Sequence, residues 1–462
     1  MAWNDTIAAI ATPPGTGGLG VIRISGPRAE EIARGLFKPA NKITAFESHR
    51  LYHGDIVASG SGTVLDEVLL VLMKQPRSYT GEDTLEVYCH GGQQILHSIL
   101  EEAVALGCHP AEPGEFTKRA FLNSRLDLAQ AEAISDLIAA PSSGGQQLAL
   151  SHLKGRLSGK INDLRGEIIA ALALLESTID FAAEEISADQ GVPATDVAAA
   201  LTGIIRKLQD LLSTYDAGKI QRHGAQVVLA GKPNVGKSSL LNALLGEKRA
   251  IVTPLPGTTR DFIEEFINIS GVPVKLTDTA GLRTPENPIE REGIALTRQK
   301  IDLADLVILI LDGSEPLGDE DRRLLTDLAE RPLLLAINKS DLPPALAEDE
   351  IRALKPAGEV LRISAKYSQG LGRLKEAISR AFCCSHGSGS TDVAISNIRH
   401  KNVLERTAAL LSRAREGALD QLPAELVAID IREALTTLGE IAGRTTDEEL
   451  LQQIFSRFCI GK

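Results

Sequence analysis

The stretch Gly231-Lys232-Pro233-Asn234-Val235-Gly236-Lys237-Ser238 matches the pattern G-x-x-x-x-G-K-[ST] without a mismatch. It constrains the fold more than any other feature, because such a loop needs a strand ending beneath it and a helix starting from it. Both flanks are present: Gln226-Val227-Val228-Leu229-Ala230 reads as a buried strand, and Ser239 to Leu245 reads as a helix. In that setting the glycines let backbone N–H groups curl around phosphates, Lys237 meets the β- and γ-phosphate charge, and Ser238 offers its hydroxyl to Mg²⁺. The phosphate contacts are expected from Asn234, Val235, Gly236, Lys237, Ser238 and Ser239. A bare Gly-rich turn is the alternative, and the flanking periodicity argues against it.

Three later stretches, each behind an apolar run, select the nucleotide. Val274-Lys275-Leu276-Thr277 leads into Asp278-Thr279-Ala280-Gly281, where a carboxylate at a strand end can hold Mg²⁺ through water and a glycine N–H can sense a γ-phosphate. Leu333-Leu334-Leu335-Ala336-Ile337 leads into Asn338-Lys339-Ser340-Asp341. Asp341 can accept from the N1–H and the exocyclic amine of guanine, whereas adenine has no donors to match it. A buried polar site left unpaired by the wrong ligand discriminates by about 10⁴ to 10⁵, so GTP is expected over ATP. Val360-Leu361-Arg362-Ile363 then leads into Ser364-Ala365-Lys366, which resembles the last base-contacting loop of GTPases.

A length of 462 residues suits about three domains, and 43% hydrophobic with 24% charged residues is ordinary soluble composition. The net charge of −12 argues against general adhesion to nucleic acid or anionic membranes, so any RNA contact must be local. Cys89, Cys108, Cys383, Cys384 and Cys459 form no C-x-x-C pair, which suggests neither zinc nor a disulfide framework. Ile7 to Ala11 is too short an apolar run for a signal peptide and no span reaches transmembrane length. A cytoplasmic protein without membrane contact is expected.

The fold expected is a multidomain α/β architecture. Residues 1–118 mix short β-like runs, such as Leu19 to Ile24, Val68 to Met73 and Leu85 to Tyr88, with helices, and read as an α+β domain. Gly15-Thr16-Gly17-Gly18-Leu19-Gly20 formally matches the dinucleotide pattern, but Val21-Ile22-Arg23-Ile24 after it is strand-like, so that reading fails on context. Residues 119–217 carry helical spacing, from Leu126, Ala129, Ala133 and Leu137 through Leu157 to Phe181 and Asp196 to Tyr215, up to an expected hinge at Ala217-Gly218. Residues 218–384 hold the four nucleotide motifs, as expected of a doubly wound P-loop GTPase domain. After a Ser385 to Ser390 linker, residues 385–462 return to helix. The GTPase module thus reads as an insertion into a helical domain, whose two halves bury their apolar stripes against each other.

These residues resemble the MnmE family of tRNA modification GTPases, also called TrmE, within the TrmE-Era-EngA-like group. The likeness covers essentially the whole chain. It rests on TPPGTGGLGVIRISG, on PGEFTKRAFLNSRLDLAQAEAISDLI, on the four nucleotide motifs, and on the closing Phe458-Cys459-Ile460-Gly461-Lys462. The resemblance implies an N-terminal dimerising domain similar to folate-dependent aminomethyltransferases. That domain would bind 5-formyltetrahydrofolate or a related tetrahydrofolate through Arg23, Glu82, Arg125 and Lys462. By charge alone Arg23, Glu82 and Arg125 read as solvated or paired surface groups. The resemblance also implies a homodimer that joins the FAD-bearing MnmG in a heterotetramer. With FAD supplied only through that partner, an aminomethyl or carboxymethylaminomethyl group would be installed at carbon 5 of the wobble uridine of tRNA.

Further roles follow from the same resemblance. In Thr253-Pro254-Leu255-Pro256-Gly257-Thr258-Thr259, the Thr259 hydroxyl would reach Mg²⁺ as the γ-phosphate sensor. An arginine finger supplies about 10³ to 10⁵ in rate elsewhere. Here K⁺ would replace it, held by Asn234, Thr253, Leu255 and Thr258 when two GTPase domains meet. Asn234 is otherwise a turn residue that tolerates unusual φ and ψ. Leu282 stands where many GTPases have a water-orienting Gln, and the resemblance passes that role to Glu290, with Glu286 and Glu292 as rivals on sequence grounds. It also makes Cys459 necessary for modification, against the alternative of a buried structural thiol. Two other function classes stay open on the residues: a GTP-controlled RNA-binding or ribosome-assembly switch, and a folate-dependent aminomethyltransferase whose GTPase is only regulatory.

Overall fold

The computed structural model describes residues 5–183, 194–246, 264–278, 300–354, 359–383 and 393–462. The chain divides into two compact units, one of Met1–Ser135, His152–Leu201 and Arg413–Lys462, the other of Asp136–Ser151 and Thr202–Ser412. No helix among the described residues is long and apolar enough to cross a membrane.

The first unit holds a seven-stranded sheet. Its strands are β1 (Ile7–Ile10), β2 (Gly17–Ser25), β3 (Phe37–Pro39), β4 (Leu51–Val57), β5 (Val64–Met73), β6 (Thr84–Gly91) and β7 (His109–Pro110), in the order β3-β4-β5-β6-β2-β1-β7. Alternate residues Ile22, Ile24, Leu70, Leu72, Leu85 and Val87 turn to one face, as the two-residue period of a strand requires. There they meet Ile32 and Leu36 of the helix Ala29–Leu36, and Leu96 and Ile99 of the helix Gln93–Ala105. The Gly-rich run therefore opens an antiparallel strand, with an irregular register between Gly17 and Gly20. A Cβ on Gly91 would lie 2.5 Å from the Gly17 carbonyl oxygen, so glycine is what lets β2 and β6 approach there.

Helices complete this unit. Arg156–Ala183 packs along Ala424–Gly439, joined by Arg165 Nη1 donating to the Leu435 carbonyl at 2.6 Å and by an Arg432–Glu176 ion pair at 2.6 Å. Phe455 and Phe458, at the end of Glu448–Phe455 and just beyond it, are buried with Leu128, Ala131 and Ile134 of Leu128–Ala139.

The second unit holds a six-stranded sheet in the order β13-β12-β11-β8-β10-β9. The ranges are β8 (Ala225–Ala230), β9 (Glu264–Ile269), β10 (Val272–Asp278), β11 (Leu306–Asp312), β12 (Leu333–Asn338) and β13 (Glu359–Arg362). β9 runs antiparallel to β10, and every other pairing is parallel. Both faces are covered: Val227 and Leu229 of β8 belong to one core, Val228 and Ala230 to the other. That explains the nearly continuous apolar runs of β8, β11 and β12, since parallel strands in this architecture have no wet face. β8 is central, and the chain winds to either side of it, which opens a crevice at the carboxyl ends of the strands.

One expectation is corrected. Ala217-Gly218, read as a hinge, lies inside the helix Tyr215–His223. Gly218 is there for close packing and not for freedom: a Cβ on it would sit 2.1 Å from the Ile395 carbonyl oxygen. The helix is also tied down by polar groups. Lys219 meets Asp305 at 2.8 Å, Arg222 meets Asp136 at 2.6 Å, and Asp305 accepts from the Gln226 N–H at 2.9 Å.

Candidate nucleotide-binding site

The loop leaving β8 is shaped by three residues with left-handed or similarly glycine-favouring backbones, Gly231 at φ 146°, Asn234 at φ 65° and Gly236 at φ 99°. A Cβ on Gly231 would lie 2.4 Å from the Ile310 carbonyl oxygen, and one on Gly236 would lie 2.2 Å from Asn338 Nδ2. The two glycines thus let the loop press against β11 on one side and the base-side loop on the other. Lys237 begins the helix Lys237–Leu245 and is 7% exposed. Its Nζ donates to the carbonyls of Gly231 at 2.9 Å and Lys232 at 2.7 Å. Burial lowers its pKa, while the carboxylates of Asp278 and Glu320 pull the other way.

Ser238, the next residue, donates its hydroxyl to Asp278 Oδ2 at 2.7 Å, at the end of β10. Asp278 Oδ1 is buried with no hydrogen-bond partner among the described residues. A hydroxyl and a carboxylate with an unsatisfied oxygen form an oxygen-donor set that fits Mg²⁺ held partly through water. Val235 is buried in the apolar core, and Asn234 and Ser239 are exposed.

The residues expected to meet the base stand at the ends of β12 and β13. Asn338 donates from Nδ2 to the Val235 carbonyl at 2.7 Å, and its Oδ1 accepts from the Ala365 N–H at 2.9 Å. One amide therefore joins the phosphate loop to Ser364-Ala365-Lys366. Asp341 accepts from the Ser364 hydroxyl at 2.6 Å through one oxygen, and Lys366 lies over the Tyr367 ring at 5.1 Å. Lys339 has φ 61° and pairs with Asp312 at 2.5 Å. Thr253, Pro254, Leu255, Pro256, Gly257, Thr258, Thr259, Thr279, Ala280, Gly281 and Glu290, with the rivals Glu286 and Glu292, lie outside the described residues.

The first unit gathers a second constellation. Arg23, on β2, donates from Nε to Glu86 at 2.8 Å and from Nη1 to the Gly461 carbonyl at 3.1 Å, with Tyr79 and Phe116 under its guanidinium at 5.1 and 5.8 Å. Gly461, at φ 89°, is seated so tightly that a Cβ would lie 2.5 Å from the Ile10 carbonyl oxygen. Lys462 is partly buried; burial first and the Arg23 charge second lower its pKa. Cys459 is exposed. Glu82 accepts from Ser25 at 2.8 Å, and Arg125 donates to the Ser78 carbonyl at 3.1 Å. The segment Ser78 to Glu82 thus gathers Arg23, Glu82 and Arg125.

Sequence reasoning missed three members of this group. Arg119 is fully buried and pairs with Asp5 at 3.0 Å, Glu115 at 2.8 Å and Glu82 at 3.5 Å. Its advance signal is the four-residue spacing from Glu115 on the helix Glu115–Leu122. Glu86 and Tyr79, which hold Arg23, carry no local signal.

Family models describe two parts of the chain. The MnmE helical domain matches residues 128–459, and the GTP-binding protein TrmE N-terminus matches residues 6–125. The tRNA modification GTPase MnmE of Syntrophus aciditrophicus is 53% identical over 460 residues, covering 99% of this chain and 100% of that protein. The protein of the same name from Geobacter sulfurreducens is 46% identical over 467 residues, covering 100% of both. Among solved structures, the G domain of the T. maritima FeoB iron transporter is 30% identical over 34% of this chain and 98% of its own, with a TM-score of 0.28.

Proposed function

The chain belongs to the MnmE family and is a GTP hydrolase acting in tRNA modification, and we propose that its GTP cycle serves chemistry at carbon 5 of the wobble uridine. In this reading residues 218–384 are the GTPase domain, set between helical parts 119–217 and 385–462, with residues 1–118 forming the folate-binding and dimerising domain. The observation that carries the GTPase assignment is one crevice holding Lys237, the Ser238–Asp278 pair and Asn338 to Asp341 at neighbouring strand ends. Phosphate, metal and base positions thereby share one rigid edge.

The residues divide the work as follows. Lys237 exchanges the carbonyls of Gly231 and Lys232 for β- and γ-phosphate oxygens. Its charge is already out of water, so little solvent has to be stripped at that step. Ser238 and Asp278 hold Mg²⁺, joined by Thr259. Held there, Mg²⁺ would supply positive charge against the negative charge developing on the phosphates. Asp341 accepts from the guanine edge and Ser364 orients it. Glu290 would orient the attacking water, and Asn234, Thr253, Leu255 and Thr258 would hold a K⁺ whose charge would stand in for an arginine finger.

For the first unit, the supporting observation is the approach of Arg23 to the Gly461 carbonyl and the mutual charge of Arg23 and Lys462. Arg23, held in place by Glu86 and by the Gly461 carbonyl next to Lys462, suits an anionic ligand such as a tetrahydrofolate, with Glu82 and Arg125 completing its contacts. Cys459 acts in the modification itself. A homodimer joined to the FAD-bearing MnmG in the cytoplasm completes the proposal. Mass spectrometry of wobble nucleosides from cells lacking this protein tests it: the modified uridine should disappear, and its persistence would refute the assignment.

A further inference from the structure

Asp312 stands at the last position of β11, in register with Asn338 on β12, yet it belongs to none of the nucleotide motifs. Its side chain is only 9% exposed and both oxygens are engaged. Oδ1 accepts from the Ser314 N–H at 3.0 Å and from the Ser314 hydroxyl at 2.6 Å, while Oδ2 takes the Lys339 ammonium at 2.5 Å. Burial pushes its pKa up, but the hydrogen bonds from Lys339 and Ser314 outweigh that and hold it below the ordinary value.

The neighbouring backbone is equally constrained. The Gly313 N–H donates to the Asn338 carbonyl at 2.8 Å. A Cβ on Gly313 would lie 2.9 Å from both that oxygen and Ile337 Cγ2. Lys339 itself holds a left-handed backbone that a lysine adopts only at a cost. Both its backbone and its ammonium are therefore fixed before any nucleotide arrives.

We infer that Asp312 is a positioning residue for the purine: by anchoring the Lys339 ammonium it fixes the lysine methylene stem as a flat apolar rail for the guanine ring. The placement supports this. Lys339 lies between Asn338, which is tied to the phosphate loop, and Asp341, which is aimed by Ser364. A long, flexible side chain ordered afresh in each binding event would cost affinity, and one ordered in advance does not. The inference rests on the reading of this crevice as a guanine site.

The test is a double-mutant cycle on the full chain with GDP and GTP as probes. Asp312→Asn removes the anchor, and Lys339→Met keeps an apolar stem while removing the tether. Each should weaken GDP and GTP by the same factor, about tenfold, raise KM for GTP accordingly, and speed release of a fluorescent GDP. The double variant should be no worse than the weaker-binding single. Losses that multiply, a loss confined to GTP, or a lower melting point of the nucleotide-free protein with affinity intact would overturn the inference. Should Asp312→Asn fail to fold, Ser314→Ala loosens the same carboxylate and should shift both affinities the same way by a smaller factor; unchanged affinities overturn the inference equally. Failure of the guanine reading shows separately, as equal GTP and ATP affinities in the parent protein.

Discussion

Asp341 shows what one carboxylate can decide. One of its oxygens is occupied by the Ser364 hydroxyl, which leaves the carboxylate oriented for the two donors on the guanine edge. Asp341→Asn should cut GTP affinity by about 10² or more and raise affinity for xanthosine triphosphate, whose edge suits an amide. Competition binding with both nucleotides checks it. The places of Lys237, Ser238, Asp278, Asn338 and Asp341 at neighbouring strand ends were legible in the sequence, because a nucleotide site calls for fixed residue types at a fixed distance from a strand end. Asp312 and Arg119 were not. A carboxylate ending a strand and an arginine on a helix are commonplace, and their meaning comes from Lys339 and from Asp5 and Glu82, which the fold brings from elsewhere in the chain.

At the scale of an element, the helix Tyr215–His223 carries two predictions. In an ordinary helix Gly→Ala stabilises by up to about 1 kcal/mol. Gly218→Ala should instead destabilise by about 1–3 kcal/mol, because its Cβ would meet the Ile395 carbonyl at 2.1 Å. Urea denaturation decides the sign. His223 supplies the second. Burial first, and then the charges of Arg222, Lys219 and Lys275, push its pKa from 6.5 down to about 4. The unfolded chain therefore binds a proton that the folded one refuses between those values, so stability falls as pH drops through that window. His223→Gln should remove about 1 kcal/mol of that fall, a figure discounted for the partial exposure of the ring. Urea midpoints of both proteins at neutral pH and near pH 4.5 measure it. The strands around this helix were legible from their apolar runs and alternation. The helix itself was mistaken for a hinge because Ala-Gly reads as loose locally, and only the Ile395 backbone shows why glycine is needed.

For the whole molecule, the nucleotide crevice and the Arg23 constellation belong to different compact units. Cys459→Ser should therefore leave GTP hydrolysis within about twofold of the parent while tRNA modification is lost. Both are assayed on one preparation; joint loss would assign the thiol a structural role, and retained modification would remove it from the chemistry. The same division bears on how the protein is made. The first unit is assembled from Met1–Ser135, His152–Leu201 and Arg413–Lys462, whereas the second draws on nothing beyond Ser412. Domains commonly fold in the order in which the ribosome delivers them. Here the amino-terminal sheet emerges first, but the helix Ala424–Gly439 and the aromatic pair Phe455 and Phe458 that close its unit emerge last. The nucleotide-binding unit can complete its sheet while the earlier-made unit still waits, with the face that Arg156–Ala183 reserves for Ala424–Gly439 open to chaperones. A nascent chain that has cleared the ribosome only as far as Ser412 would thus present the whole nucleotide-binding unit on a protein whose first-synthesised unit is incomplete.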